Sequence, residues 1–166
     1  MLKKVAICSL ILLCINSCIE QSRREAFLSK YEFEDFSEFN NVHIFIRDED
    51  SGNPILMMNA PNLVNDTSDI GLYVLQLDKK DYHVLDSKWT YGGEEIDADI
   101  SKMQQLAKAF INYKIPRLYV DEAGNVFVYL KDVESLAMIR ITDSLHFPKS
   151  FNHSWVRIRG NWYIPK

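Results

Sequence analysis

Cysteine is scarce in this chain of 166 residues, and what there is sits at one end: Cys8, Cys14 and Cys18. From Ile19 to Lys166 there is no thiol, which excludes an internal disulfide and a cysteine-based zinc site from that stretch. Stability there has to come from an apolar core, and a domain of this size buries roughly 70% of its unfolded surface. Basic charge is in deficit, 19 residues against 23 acidic ones, for a formal net charge of −4. Nucleic-acid binding draws on a basic footprint that displaces counterions from phosphates, so that partner class is disfavoured. No Pro/Gly/Ser-rich linker, internal repeat or low-complexity tract divides the chain. No apolar run reaches the ~20 residues that a spanning helix requires.

Catalytic signatures are missing as well. There is no P-loop, no dinucleotide fingerprint, no HExxH and no Gly-x-Ser-x-Gly elbow, so neither a cofactor nor a metal is expected and no catalytic residue is named. His43, His83, His146 and His153 are scattered without a short ligand spacing. Asp48, Asp50 and Asn53 surround Gly52 in a way that is similar to the start of a calcium loop. However, that loop wants glycine sixth and a bidentate glutamate twelfth, whereas here glycine is fifth and Asn59 is twelfth. A solvated turn is the simpler expectation. Asp66-Thr67-Ser68-Asp69 and Asp97-Ala98-Asp99 read likewise as turn and cap chemistry.

What is present is a leader. Lys3 and Lys4 precede Val5–Ile15, an apolar run interrupted only by Ser9, too short to span and suited to the centre of an export signal. Ile15-Asn16-Ser17 then leads directly into Cys18. In this the chain resembles bacterial lipoprotein precursors, whose lipobox sets a small residue before a cysteine. The resemblance implies a diacylglyceryl group on the Cys18 sulfur and cleavage by signal peptidase II after Ser17. Residues 1–17 are then the signal peptide, 18–26 the lipidated cysteine with a polar tether, and 27–166 one α+β domain. Loss of Lys3 and Lys4 makes the remaining chain more acidic still, so contact with a membrane runs through the acyl chains. Ile19 follows the cysteine where some lipoproteins carry an aspartate for inner-membrane retention, which by the same resemblance favours the outer membrane.

The domain itself reads as mainly antiparallel β-sheet with one amphipathic helix, about residues 97–113, packed on a face. Runs at Val42–Arg47, Ile55–Met58, Gly71–Leu77 and Tyr82–Leu85 are rich in β-branched and aromatic residues and are separated by turn clusters. Ile100, Met103, Leu106, Ala107, Phe110 and Ile111 then recur at three- and four-residue spacing, with Asp97 or Asp99 as cap and Pro116 as stop. Arg117–Asp121 and Val126–Leu130 form a hairpin, Leu136–Ile141 another strand, and Gly160-Asn161 a tight loop between two terminal strands. Regular βαβ alternation is missing, which argues against a doubly wound fold. Ala26–Tyr31 suits a short helix, followed by an irregular segment carrying Phe36 and Phe39.

Two aromatic features carry the binding expectation. Trp89 and Tyr91 precede the flexible pair Gly92-Gly93, and such rings supply contact area at low entropic cost. Trp155, Arg157 and Arg159 alternate along a terminal strand and are expected to share a face, near Arg140, as a small basic strip. The functional expectation is a non-catalytic, lipid-anchored envelope module that binds a protein, peptide or glycan, an inhibitor or immunity type being one version. The alternatives are an envelope hydrolase with a site assembled from scattered His and Asp/Glu, or an assembly component of an envelope complex.

Overall fold

Apolar residues two positions apart dominate the chain from Val42 onward, and in the computed structural model of the protein they form one antiparallel sheet. The structure describes residues 18–50, 52–63, 72–89, 99–142 and 154–166, the side chains of Glu49 and Trp89 apart. Among these the strands are β1 (Val42–Asp50), β2 (Asn53–Asn59), β3 (Tyr73–Leu77), β4 (Val84–Trp89), β5 (Arg117–Val120), β6 (Val126–Tyr129), β7 (Leu136–Arg140), β8 (Trp155–Arg159) and β9 (Trp162–Pro165). Their order across the sheet is β4-β3-β2-β1-β5-β6-β7-β9-β8. The expected α+β class, mainly antiparallel with a helix on one face, is what the chain adopts.

Strands consecutive in sequence are neighbours except β7 and β8, which flank β9, and β4 and β5, which lie four strand spacings apart. At ~4.8 Å per spacing that is about 19 Å. Helix α2 (Ile100–Asn112) has 13 residues, or about 20 Å at 1.5 Å each, so its length matches the crossing. It is shorter than the expected 97–113 because Asp99 is the cap, its Oδ1 accepting the Lys102 N–H at 2.9 Å; Asp97 lies outside the described residues. At the other end Lys114 takes a left-handed φ of 55° and donates its N–H to the Ile111 carbonyl, which ends the helix before Pro116 is reached.

Period-two patterning gives the sheet two apolar faces. On the near face, covered by α2, cross-strand pairs join Ile44 with Met58 and Leu118, Leu56 with Leu75, and Val128 with Leu118 and Met138. These side chains have no measurable exposure, and Met103, Leu106, Ala107 and Phe110 of α2 are equally buried. Phe36 and Phe39 bracket the end of α2 through Tyr113, at ring separations of 5.3 and 5.9 Å. The far face carries Phe127, Tyr129, Ile139 and Ile141, a cluster flanked by Tyr119, Leu136, Trp155 and Tyr163.

The chain separates into two compact units, Met1–Glu34 and Asp35–Lys166. In the first, residues 18–31 are helical (α1), so the polar stretch read as a tether is wound rather than extended. Pairs four apart explain this: Arg24 bonds Glu20, and the rings of Phe27 and Tyr31 meet at 4.9 Å. Phe36 and Phe39 fall, as expected, in an irregular segment, with a single 3₁₀ turn at Ser37–Phe39.

Candidate functional site

Strand pairing brings six chemically distinctive side chains together on the far face. His43 stands opposite Tyr119, and Phe45 opposite Arg117, which in turn pairs with Tyr129; Tyr119 stands opposite Phe127. The Arg117 guanidinium lies 4.4 Å from the Tyr129 ring centre and 6.0 Å from that of Phe45. A planar cation between ring faces gains from both. Its Nη1–H donates to the Val133 carbonyl at 2.6 Å, which ties the β6–β7 connection to this face. Tyr119 and Phe127 stack at 5.0 Å, and His43 lies within 5.7 Å of Phe45 and Tyr119.

Burial sets the ionisation here. His43 is pushed down to about 4, first by desolvation and then by the positive Arg117. Its Nε2 is buried and has no hydrogen-bond partner among the described residues, and neither has Arg117 Nε. A neutral imidazole tolerates this position; a charged one does not. Burial likewise raises the Tyr129 hydroxyl, with Arg117 opposing it. This group of six thus holds one fixed cation among rings and no carboxylate.

Oxygen and nitrogen donors converge elsewhere, at the β3–β4 turn. Ligand atoms of Asp78, Asp81 and His83 lie within 4.8 Å of one another, close enough to share a divalent cation. The turn already uses them: Asp78 Oδ1 accepts the Lys80 N–H at 2.7 Å, and Asp81 Oδ1 meets both the His83 N–H and its Nδ1, at 3.1 and 2.5 Å. The backbone N–H of His83, followed by its ring, holds the Asp81 carboxyl below its usual range. The oxygen-rich β1–β2 turn behaves similarly, with Asn53 Oδ1 accepting the Lys79 N–H and Asp50 Oδ2 accepting from Gln76 Nε2. These bonds tie the β1–β2 turn to β3 and to the turn that follows it.

The expected site residues are distributed rather than gathered. Cys18 is exposed at the start of the described part of α1. Trp89 ends β4, paired with Tyr73, while Tyr91, His146 and His153 lie outside the described residues. Trp155 is half-buried against the far-face cluster. Arg157 and Arg159 are exposed, but a register irregularity separates them: Arg157 stands opposite Tyr163 and Arg159 opposite Trp162. Adjacent residues of β9 point to opposite faces, so the two arginines do as well. Arg140 belongs to neither exposed group, since it lies over the rings of Phe36 and Trp162 at 4.9 and 5.7 Å. The expected basic strip is therefore divided between the two faces. Sequence reading missed Arg117 and His43 as a unit, although alternation at Val42-His43-Ile44-Phe45 and Arg117-Leu118-Tyr119 was the signal for it.

Comparison of the chain with family models, with curated proteins and with solved structures yields no match.

Proposed function

We propose that the protein is an envelope lipoprotein: acyl chains on Cys18 hold it at a membrane, by resemblance the outer one, and its sheet domain is a non-catalytic module that binds a protein partner. The anchor half is supported by the lipobox-like approach to Cys18 and by that residue's exposure. The observation that carries the binding half is the C-terminal hairpin, where exposed Val156, Arg157, Ile158 and Arg159 follow one another along β8. An inhibitor or immunity role fits within this reading.

Hydrolysis is the competing reading, and the Asp81–His83 pair favours it, because a carboxylate that orients an imidazole is the arrangement of a general base. Both groups are nevertheless wet, with 65% and 46% of their side chains exposed, whereas general-base sites draw their strength from shielding. Binding is the better account. The test is metabolic labelling with a palmitate analogue. Label should enter the wild-type chain and not Cys18→Ser, the variant should leave the membrane fraction, and the mature N-terminus should be modified Cys18. Label that persists in Cys18→Ser, or a mature N-terminus elsewhere, overturns the anchor.

A further inference from the structure

The two edges of the sheet are built differently. β4 closes one edge with Asp86 and Lys88, whose side chains meet at 3.1 Å, so its charges offset each other. β8 closes the other and pairs with β9 alone among the described strands. From Ser154 to Lys166 the charged residues are Arg157, Arg159 and Lys166, with no acid among them, in a chain whose net charge is −4. Between the arginines and beside them, Ile158 and Val156 are 38% and 42% exposed. Arg157 Nε–H donates to the Gly160 carbonyl at 2.5 Å, which steadies the hairpin that presents this edge.

An edge strand is a template for another strand unless something blunts it. On β8 the blunting is charge of one sign, which repels a like strand and attracts an opposite one. Resting on the binding reading above, the geometry points to strand addition at β8. The occupant is an extended segment of a partner protein that carries carboxylates on both of its faces among apolar residues. Its backbone pairs along the outer side of β8, while carboxylates meet Arg157 on one face and Arg159 on the other, and its apolar residues cover Val156 and Ile158. A second copy of this chain fits worse, because antiparallel β8–β8 pairing sets arginines against arginines, and like charges across a strand pair are destabilising. An anionic bilayer matches the charge but offers no backbone to pair with.

The test uses the full lipidated protein in its native envelope, with photoreactive benzoylphenylalanine in place of Ile158, and separately in place of Leu85 on β4. The expected result is a polypeptide adduct from position 158 alone, in which mass spectrometry places the crosslink in an acid-rich segment. Its yield should fall about tenfold in Arg157→Glu/Arg159→Glu and on raising the salt concentration, as for a charge-matched contact. The milder Arg157→Gln/Arg159→Gln should give an intermediate yield, which separates lost attraction from lost folding. Adducts from position 85 and not 158 overturn strand addition at β8 but leave the binding reading standing. Adducts to a second copy, to lipid or to a segment without acids overturn the proposal, as does a yield unchanged by charge reversal. No adduct from either position overturns both readings.

Discussion

The two faces of the sheet are made by the same strands, yet alternate residues give them different physics. The near face is aliphatic, with Ile44, Leu56, Met58, Leu75, Leu118 and Val128 fully buried beneath α2. The far face mixes Phe45, Tyr119, Phe127 and Tyr129 with Arg117 and a neutral His43. An aliphatic face contributes stability that depends little on solution conditions. Rings around a cation and an uncharged imidazole contribute stability that depends on pH. The difference shows which side of the molecule sets its strength and which sets its sensitivities.

The largest effect should come from the near face. Phe110 of α2 is fully buried, and Phe110→Ala should cost about 3–5 kcal/mol, since a residual cavity adds to the lost transfer energy. Urea denaturation measures this. Tyr119→Ala on the far face should cost clearly less, because Tyr119 is only partly buried. Equal losses would abolish the distinction between the faces.

Acid should act through the far face. The unfolded chain protonates histidine near 6.5, while folded His43 waits until about 4, so between those values the unfolded state binds the extra proton. His43 therefore contributes no penalty above pH 6.5, and stability falls as pH drops from about 6.5 towards 4, by at most about 3 kcal/mol. Denaturation midpoints across this range, compared with those of His43→Phe, test it. The variant should lose that part of the acid slope, and an unchanged slope would place the sensitivity elsewhere.

Arg117 sharpens the same contrast. Arg117→Met keeps the stem against the rings but removes the Val133 hydrogen bond and the stacked charge, at a cost of about 2 kcal/mol. It should also raise the His43 titration, because a neighbouring positive charge is gone. Proton NMR of the His43 ring reads that shift directly.

How much of this was legible in the sequence depended on the range of the interaction. Class, hairpins and α2 followed from periodicity because they express local patterns, as at Ile100 to Phe110. The cap was narrowed to two aspartates but not to Asp99, since both precede the same apolar stripe. Clusters across strands were not legible: nothing local says that Arg117 will meet Tyr129 and Phe45, which requires the order in which β1 and β6 flank β5. The division of Arg157 from Arg159 was hidden for a related reason. A bulge changes facing by one residue, and it arises from the pairing with β9 rather than from the strand's own composition. Likewise, buried Asn125 reads as a turn residue in sequence. Folded, its side chain donates to Asp121 Oδ2 and accepts the Thr142 N–H, locking the β5–β6 turn to the end of β7.

The smallest predicted effect probes a place where the near face resembles the far one. Arg140 pairs across the sheet with Val126 and Trp162 and lies over the rings of Phe36 and Trp162, so a cation sits among rings on the aliphatic side as well. Like Arg117 it is partly exposed, so water supports the charge and each ring contact is worth about 0.5–1 kcal/mol. Arg140→Lys keeps the charge but loses the planar stack and should cost less than about 1 kcal/mol, with no change in the acid slope because His43 stands on the opposite face. A loss as large as that of Arg117→Met would mean that stacked cations strengthen both faces alike, and the division between a face for strength and a face for sensitivity would have to be redrawn along the strands instead of across them.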